Sequence, residues 1–142
     1  MLTDQTVDTE DLTPETLRER YERELAGVIE ERGIATASEG TGIEEALLEA
    51  LVAGESPELG TEEAAAILAL SEGEPSAEII EAEMQDRLLM GMTTAVLDVE
   101  TLAANLELDL DAKEVQQKVE GRAPTSLAEY AHLRYTIEDR KP

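Results

Sequence analysis

The chain has 142 residues, which suits one domain or two very small ones that share a core. It has 34 acidic against 11 basic residues, a net charge of −23, and neither Cys, Phe nor Trp. The lack of Cys excludes disulfides and thiolate metal sites, and no apolar run approaches the roughly 20 residues that a transmembrane helix needs. We therefore expect a soluble, cytoplasmic protein without a membrane segment.

The N-terminal part of the chain predicts a disordered segment followed by a long helix. Residues 1–12 are polar and have no periodicity, so we expect them to be disordered. Thr13-Pro14 is a typical helix start, because the hydroxyl caps and proline suits the first helical position. Gly33 is a typical helix end. An apolar stripe at helical spacing lies between them: Leu17, Tyr21, Leu25, Val28 and Ile29.

The remainder of the chain predicts further helices and no strand. Short helices are expected at 43–52 and 61–70, and Ser76 then caps the segment 77–97. Because Gly91 lies within that segment, the sequence leaves open whether it forms one helix or two. Further helices are expected at 98–106, at 111–119 and from Pro124 to Ile137. The prediction is an all-α fold of about eight helices.

The C-terminal third carries the clearest motif. A capped helix containing Leu102-Ala103 precedes a turn. A second helix then runs from Asp111 to Val119 and is stopped by Gly121, and Pro124 leads a third helix. This pattern resembles the repressor-type (Cro/CI-like) helix-turn-helix family. In that family the second helix presents its outward residues to the DNA major groove. The resemblance implies five contact residues here: Lys113, Gln116, Gln117, Lys118 and Arg122.

A weaker copy of the same order lies upstream. Its turn glycine is Gly42 and its stop glycine is Gly54, and Thr61 opens the next helix. We therefore predict a duplication, with one unit at 13–72 and another at 76–142 around a shared core. The outward residues of the upstream copy are Glu44, Glu45 and Glu49, which phosphate would repel.

The acidity is unevenly distributed along the chain. Residues 1–110 carry 28 acids and five bases, whereas residues 111–142 carry six of each. Acids dispersed among helically spaced apolar residues indicate adaptation to molar salt, where the Debye length is about 3 Å. As a whole, the chain is similar to an uncharacterised haloarchaeal family of small acidic proteins, a resemblance that implies no activity.

No residue pattern indicates catalysis. His132 is the single histidine, and neither a metal-ligand set nor a phosphate-binding glycine loop is present. We expect no cofactor and no enzyme activity. The prediction is a non-enzymatic, helix-turn-helix-like regulator or adaptor of a halophilic archaeon, with its contact surface in the charge-neutral residues 111–142 and DNA as one candidate partner. The alternative is a protein-protein module that uses Tyr135 and Ile137 on the same surface.

A homodimer is favoured by the apolar residues of the C-terminal half. Repressor-type units usually work in pairs, and the sequence places Leu88, Met92 and Ile137 on apolar faces. Such faces exceed what one small chain is expected to cover. The oligomeric state is left open by the sequence.

Overall fold

A computed structural model describes residues 2–142 of the chain. These residues form eight α-helices and no strand, which confirms the all-α prediction. The helices are α1 (Pro14–Arg32), α2 (Ile34–Thr41), α3 (Glu45–Val52), α4 (Thr61–Leu68), α5 (Ala77–Ala95), α6 (Val99–Asn105), α7 (Ala112–Val119) and α8 (Leu127–Asp139).

Local signals set the ends of the long helices. The Thr13 hydroxyl accepts the Thr16 N–H at the start of α1, and Gly33 ends the helix at φ 88°. Helix α5 is continuous, so the question that Gly91 raised is settled in favour of one helix. A Cβ added at Gly91 would lie 2.6 Å from Ile137 Cγ2. This glycine therefore permits the close approach of α5 and α8 and does not break the helix.

The two halves of the chain repeat one order of helices. A helix of 19 residues, α1 or α5, precedes three shorter ones, and α5 begins 63 residues after α1. We call residues 13–72 the first unit and residues 76–142 the second unit. Helix α7 follows α3 by 67 residues, and the buried face of α8 follows that of α4 by 66. The matched buried positions of α1 and α5 are Leu17 and Ile80, Tyr21 and Met84, Leu25 and Leu88, Val28 and Gly91, and Ile29 and Met92.

The two units meet where α4 and α8 begin. The Thr61 N–H donates to the Thr125 carbonyl at 2.9 Å, and the Leu127 N–H donates to the Leu59 carbonyl at 2.7 Å. These bonds join the two helix starts in antiparallel fashion. Helix α8 packs against α1 of the other unit, and α4 packs against α5 in the same way. As a result, the buried residues of both units form one continuous core.

The prediction of disorder over residues 1–12 is wrong for the segment 2–4. Leu2 is fully buried and its N–H donates to the Glu24 carboxylate at 3.0 Å. The next three backbone carbonyls, from Leu2 to Asp4, each accept a hydrogen bond from a helix side chain. The donors to these three carbonyls are, in order, the Tyr130 hydroxyl (3.1 Å), Arg87 Nε (2.9 Å) and Arg134 Nη2. The sequence did not predict this order, because so short a segment has no periodicity.

The apolar residues from which a homodimer was expected are covered by the chain itself. Leu88, Met92 and Ile137 are 2%, 8% and 0% exposed. Because α5 and α8 pack against each other and against the other unit, these side chains belong to the core. That argument for a dimer is therefore wrong. The large apolar side chains that do face solvent are Ile79, Leu89, Met90 and Val96.

Candidate functional site

Helix α7 positions the predicted contact residues. It begins with a reciprocal cap, in which Asp111 accepts the Glu114 N–H at 2.8 Å and Glu114 accepts the Asp111 N–H at 3.2 Å. The buried face of the helix, formed by Val115 and Val119, is turned to the core. Of the five predicted residues, Lys113, Gln116 and Arg122 are exposed, whereas Gln117 and Lys118 are half-buried.

Lys118 is used within the chain. Its Nζ lies 2.7 Å from the Pro124 carbonyl and 3.0 Å from Glu129 Oε1, and its side chain is only 13% exposed. It thereby ties the end of α7 to the start of α8. Two of the three N–H donors of Lys118 are thus used within the chain, and its contact with a partner stays a prediction.

The Glu129 carboxylate is the centre of that connection. Its partial burial tends to raise its pKa, but hydrogen bonds from the Ser126 N–H and from Lys118 outweigh burial. The net result is a pKa below the ordinary value of glutamate. The ion pair is therefore formed at neutral pH.

Two more of the predicted residues share one carboxylate. Arg122 Nη2 contacts Glu120 Oε1, and Gln116 Nε2 donates to Glu120 Oε2 at 3.3 Å. Of the five, only Lys113 and Gln117 have no side-chain partner among residues 2–142. The outer face of α7 is thus polar and close to neutral in charge.

The apolar pair expected to contact a protein partner is mostly inaccessible. Ile137 is 0% exposed, so this part of the prediction is wrong. Tyr135 is half-buried and packs against the core. A partner that docks on the outer face of α7 would therefore meet mainly polar side chains.

A pocket of about 520 Å³ adjoins this surface. It lies between the start of α4, the middle of α5 and the loop from α7 to α8. Since its wall comes from three separate parts of the chain, no local motif could have predicted it. The side chains that give it its chemical character are Glu62, Glu81, Met84, Gln85, Lys118 and Arg122.

The cations that line the pocket are paired with carboxylates, whereas the carboxylates that line it have no cationic partner among residues 2–142. Lys118 is paired with Glu129 and Arg122 with Glu120. Glu81 has no cationic partner in the described part of the chain. Its burial, followed by the nearby charge of Glu62, raises its pKa. The pocket therefore presents uncompensated negative charge.

No other described feature forms a chemical site. His132 Nε2 lies 3.9 Å from Glu15 Oε1, where α8 crosses α1. Within residues 2–142, no three His, Cys, Asp or Glu side chains are arranged to hold a metal ion. Over the same residues, every helix is too short or too polar to span a bilayer.

Comparisons with known proteins identify a family. No curated protein and no solved structure matches the chain. The model of a family of unknown function, DUF5791, matches residues 17–140, which include all eight helices except the first three residues of α1 and both surfaces described above. The chain therefore belongs to the DUF5791 family.

Proposed function

We propose that this protein is a non-enzymatic adaptor that binds another protein through the charge-neutral region 111–142. One observation carries the proposal: two of the three cations on or beside α7 are neutralised by the chain's own carboxylates, and only Lys113 is left without a partner among residues 2–142. Lys118 is held by Glu129, and Arg122 by Glu120. A polar, near-neutral surface in a chain of net charge −23 is the region where another macromolecule meets least repulsion.

Nucleic acid is less well supported as the partner. Binding to DNA depends strongly on cations that neutralise phosphates. Asp111 and Glu114 lie at the start of α7, the part of the helix that would enter the groove. These two carboxylates would repel the phosphate backbone there.

A DNA-binding regulator remains the second candidate, because Lys113 and Gln117 are available. Lysine can bond the major-groove edge of guanine, and glutamine that of adenine. In molar salt a DNA-binding protein loses most of its counterion-release affinity, so it would depend on such base contacts. The dispersed acidity supports a halophilic cytoplasm as the working environment.

A photocrosslinking residue at position 116 separates the two candidates. The matched control carries it at Glu49, the equivalent position of α3, which lies 67 residues earlier. In cells that make the protein, we expect position 116 to yield a defined protein adduct. The adduct should be absent from position 49 and lost in the Lys113→Glu/Gln117→Glu variant.

The same variant tests the regulator. Chromatin crosslinking that is enriched at defined DNA sites, and is abolished by the double substitution, would overturn the adaptor proposal in favour of a DNA-binding regulator. A protein adduct of equal strength at positions 116 and 49 would also count against the adaptor, since contact would then be non-specific.

A further inference from the structure

The first unit contains a counterpart of the pocket, and one of its own side chains occupies it. Arg18 Nη2 lies 3.3 Å from the Ser56 carbonyl and 3.4 Å from the Pro57 carbonyl. Arg18 Nε lies 3.2 Å from Glu22 Oε2. The Ser56 hydroxyl donates to the other oxygen of Glu22 at 2.8 Å. The guanidinium thus joins α1 to the loop between α3 and α4.

The second unit lacks this guanidinium. Sixty-three residues after Arg18, the matched position of α5 is Glu81, so an acid replaces the arginine. Glu22 corresponds to Gln85 in the same register. The loops match through Gly54 and Gly121, both at positive φ, so that Ser56-Pro57 corresponds to Ala123-Pro124.

The size of the two sites agrees with this difference. The pocket lined by Glu81 measures about 520 Å³, whereas the one lined by Arg18 measures about 260 Å³. Both lie where a long helix meets the loop before α4 or α8. In the second unit the space that the arginine takes in the first is open.

The open pocket offers acceptors where the arginine would be. The Ala123 carbonyl accepts only a long, 3.5 Å bond from the Thr125 hydroxyl. The Pro124 carbonyl accepts Lys118 and retains a second lone pair. Glu81 lines the same pocket and supplies a carboxylate to it. A planar group with several N–H donors fits two successive carbonyls and a carboxylate better than a single ammonium does.

We propose that this pocket binds a guanidinium group supplied from outside the chain, in the position equivalent to that of Arg18. Glu81 is its ion-pair partner, and the Ala123 and Pro124 carbonyls accept its hydrogen bonds. The group comes from an arginine side chain of a polypeptide or from a free guanidino compound. This site does not depend on a partner at the outer face of α7, so either proposal can fail alone.

Titration monitored by amide NMR shifts tests the binding. The probes are capped arginine (acetyl-arginine amide), agmatine and capped citrulline, which has nearly the same shape as arginine without the charge. We expect saturable shifts in residues 60–63 and 121–125 with a guanidinium probe and none with citrulline. Glu81→Gln should weaken binding at least tenfold, because a charge-assisted contact is lost. Glu78→Gln, at an exposed position on the same helix outside the pocket, should bind as the wild type does.

A second variant uses the first unit as its template. Glu81→Arg should place a guanidinium in the pocket, abolish probe binding and leave the melting temperature no lower than that of wild type. Should Glu81→Gln not fold, Glu62→Gln gives the same test at the adjacent carboxylate.

The outcomes distinguish the source of the group. Binding of capped arginine as tight as that of agmatine indicates a polypeptide, and binding of agmatine alone indicates a free compound. Citrulline binding equal to that of arginine would overturn the proposal. An unchanged affinity of Glu81→Gln for the guanidinium probes would also overturn the proposal. The absence of NMR shifts at the pocket residues up to about 10 mM of either guanidinium probe would overturn it too, because binding would then be too weak to matter.

Discussion

The two units follow one order of helices but differ at matched positions. In the first unit, Arg18 forms an ion pair with Glu22, and both side chains make hydrogen bonds to the adjoining loop. In the second, Glu81 and Gln85 take their places and leave a pocket. Comparison of matched positions thus distinguishes the residues that helix packing requires from the residues that can differ between the units. In the second unit, the residues that differ leave polar groups accessible in a pocket.

Charge follows the same division. Residues 13–72 carry 15 acids and four bases, and residues 76–142 carry 14 and seven. All four bases of the first unit lie in α1, so 14 acids and no base lie between Arg32 and Arg87. The second unit also buries a cation, Arg134, where the first has the apolar Leu68. Charge repulsion should therefore destabilise the first unit more than the second. Loss of buried ionic contacts should destabilise the second unit more than the first.

Removal of salt should have the largest effect and should affect the two units unequally. We expect the helical circular dichroism signal to fall on transfer from molar KCl to low salt, because screening no longer hides the repulsion among carboxylates. Hydrogen exchange should accelerate first in α2, α3 and α4, which have no base. An unchanged helical signal at low salt would contradict the halophilic interpretation. Equal acceleration of hydrogen exchange in both units would show that the uneven charge does not affect them differently.

Substitution of Arg134 should have the next largest effect. This fully buried guanidinium contacts Glu138, the Tyr130 hydroxyl and the Asp4 carbonyl. Arg134→Leu should lower the free energy of unfolding by about 3 kcal/mol, because the buried Glu138 keeps only Lys141 as a cationic partner and the Tyr130 hydroxyl and Asp4 carbonyl lose a donor. Urea unfolding at fixed KCl measures the loss.

The control for Arg134 comes from the first unit. Since Leu68 fills the matched position, Arg134→Leu combined with Glu138→Gln should recover much of the loss. The amides of residues 2–4 should nevertheless exchange faster, because the Asp4 carbonyl has lost its donor. A single variant that costs less than about 1 kcal/mol would show that the ionic contact does not hold the N-terminal segment.

The sequence predicted the helix ends well where the chain signals them locally. Thr13-Pro14 and Gly33 delimit α1, and Asp111 with Glu114 starts α7, as expected. Such signals act over three or four residues, so one sequence is enough to reveal them. Helix α2 was not delimited, because its small residues form no apolar stripe and its start, at Gly33, offers no capping side chain.

The sequence could not predict where long side chains end. Periodicity placed Lys118 on the outer surface, but its ammonium reaches Glu129 on the next helix. The same limit applies to the pocket, whose walls around Glu62, Glu81 and Arg122 lie about 20 to 60 residues apart. Contacts of this kind depend on how helices cross, which one sequence does not specify.

The ends of the two long helices provide a smaller test. Val96 ends α5 at φ 55° with its side chain 89% exposed, whereas Gly33 ends α1 at φ 88°. A β-branched residue is strained there. Val96→Gly should therefore raise the free energy of unfolding by about 1 kcal/mol, since little burial is lost. Gly33→Val should lower it, and thermal unfolding checks both. A destabilising Val96→Gly would mean that the entropy which glycine adds to the unfolded chain outweighs the relief of strain.

The acid sensitivity of the Lys118–Glu129 pair should give the smallest effect. Because the pKa of Glu129 is lowered in the folded protein, its stabilisation is present above the ordinary glutamate pKa of about 4.3 and is lost as pH falls through the lowered value. Glu129→Gln should cost about 1 kcal/mol at pH 7, and the difference from wild type should shrink below about pH 4.3.

The matched residue in the first unit is Glu63, which accepts the Gly60 N–H and has Leu51 in the place of Lys118. Glu63→Gln should therefore cost less at pH 7 than Glu129→Gln, because no ion pair is lost. Parallel stability-against-pH curves for wild type and Glu129→Gln would show that the Lys118 contact contributes nothing beyond the cap.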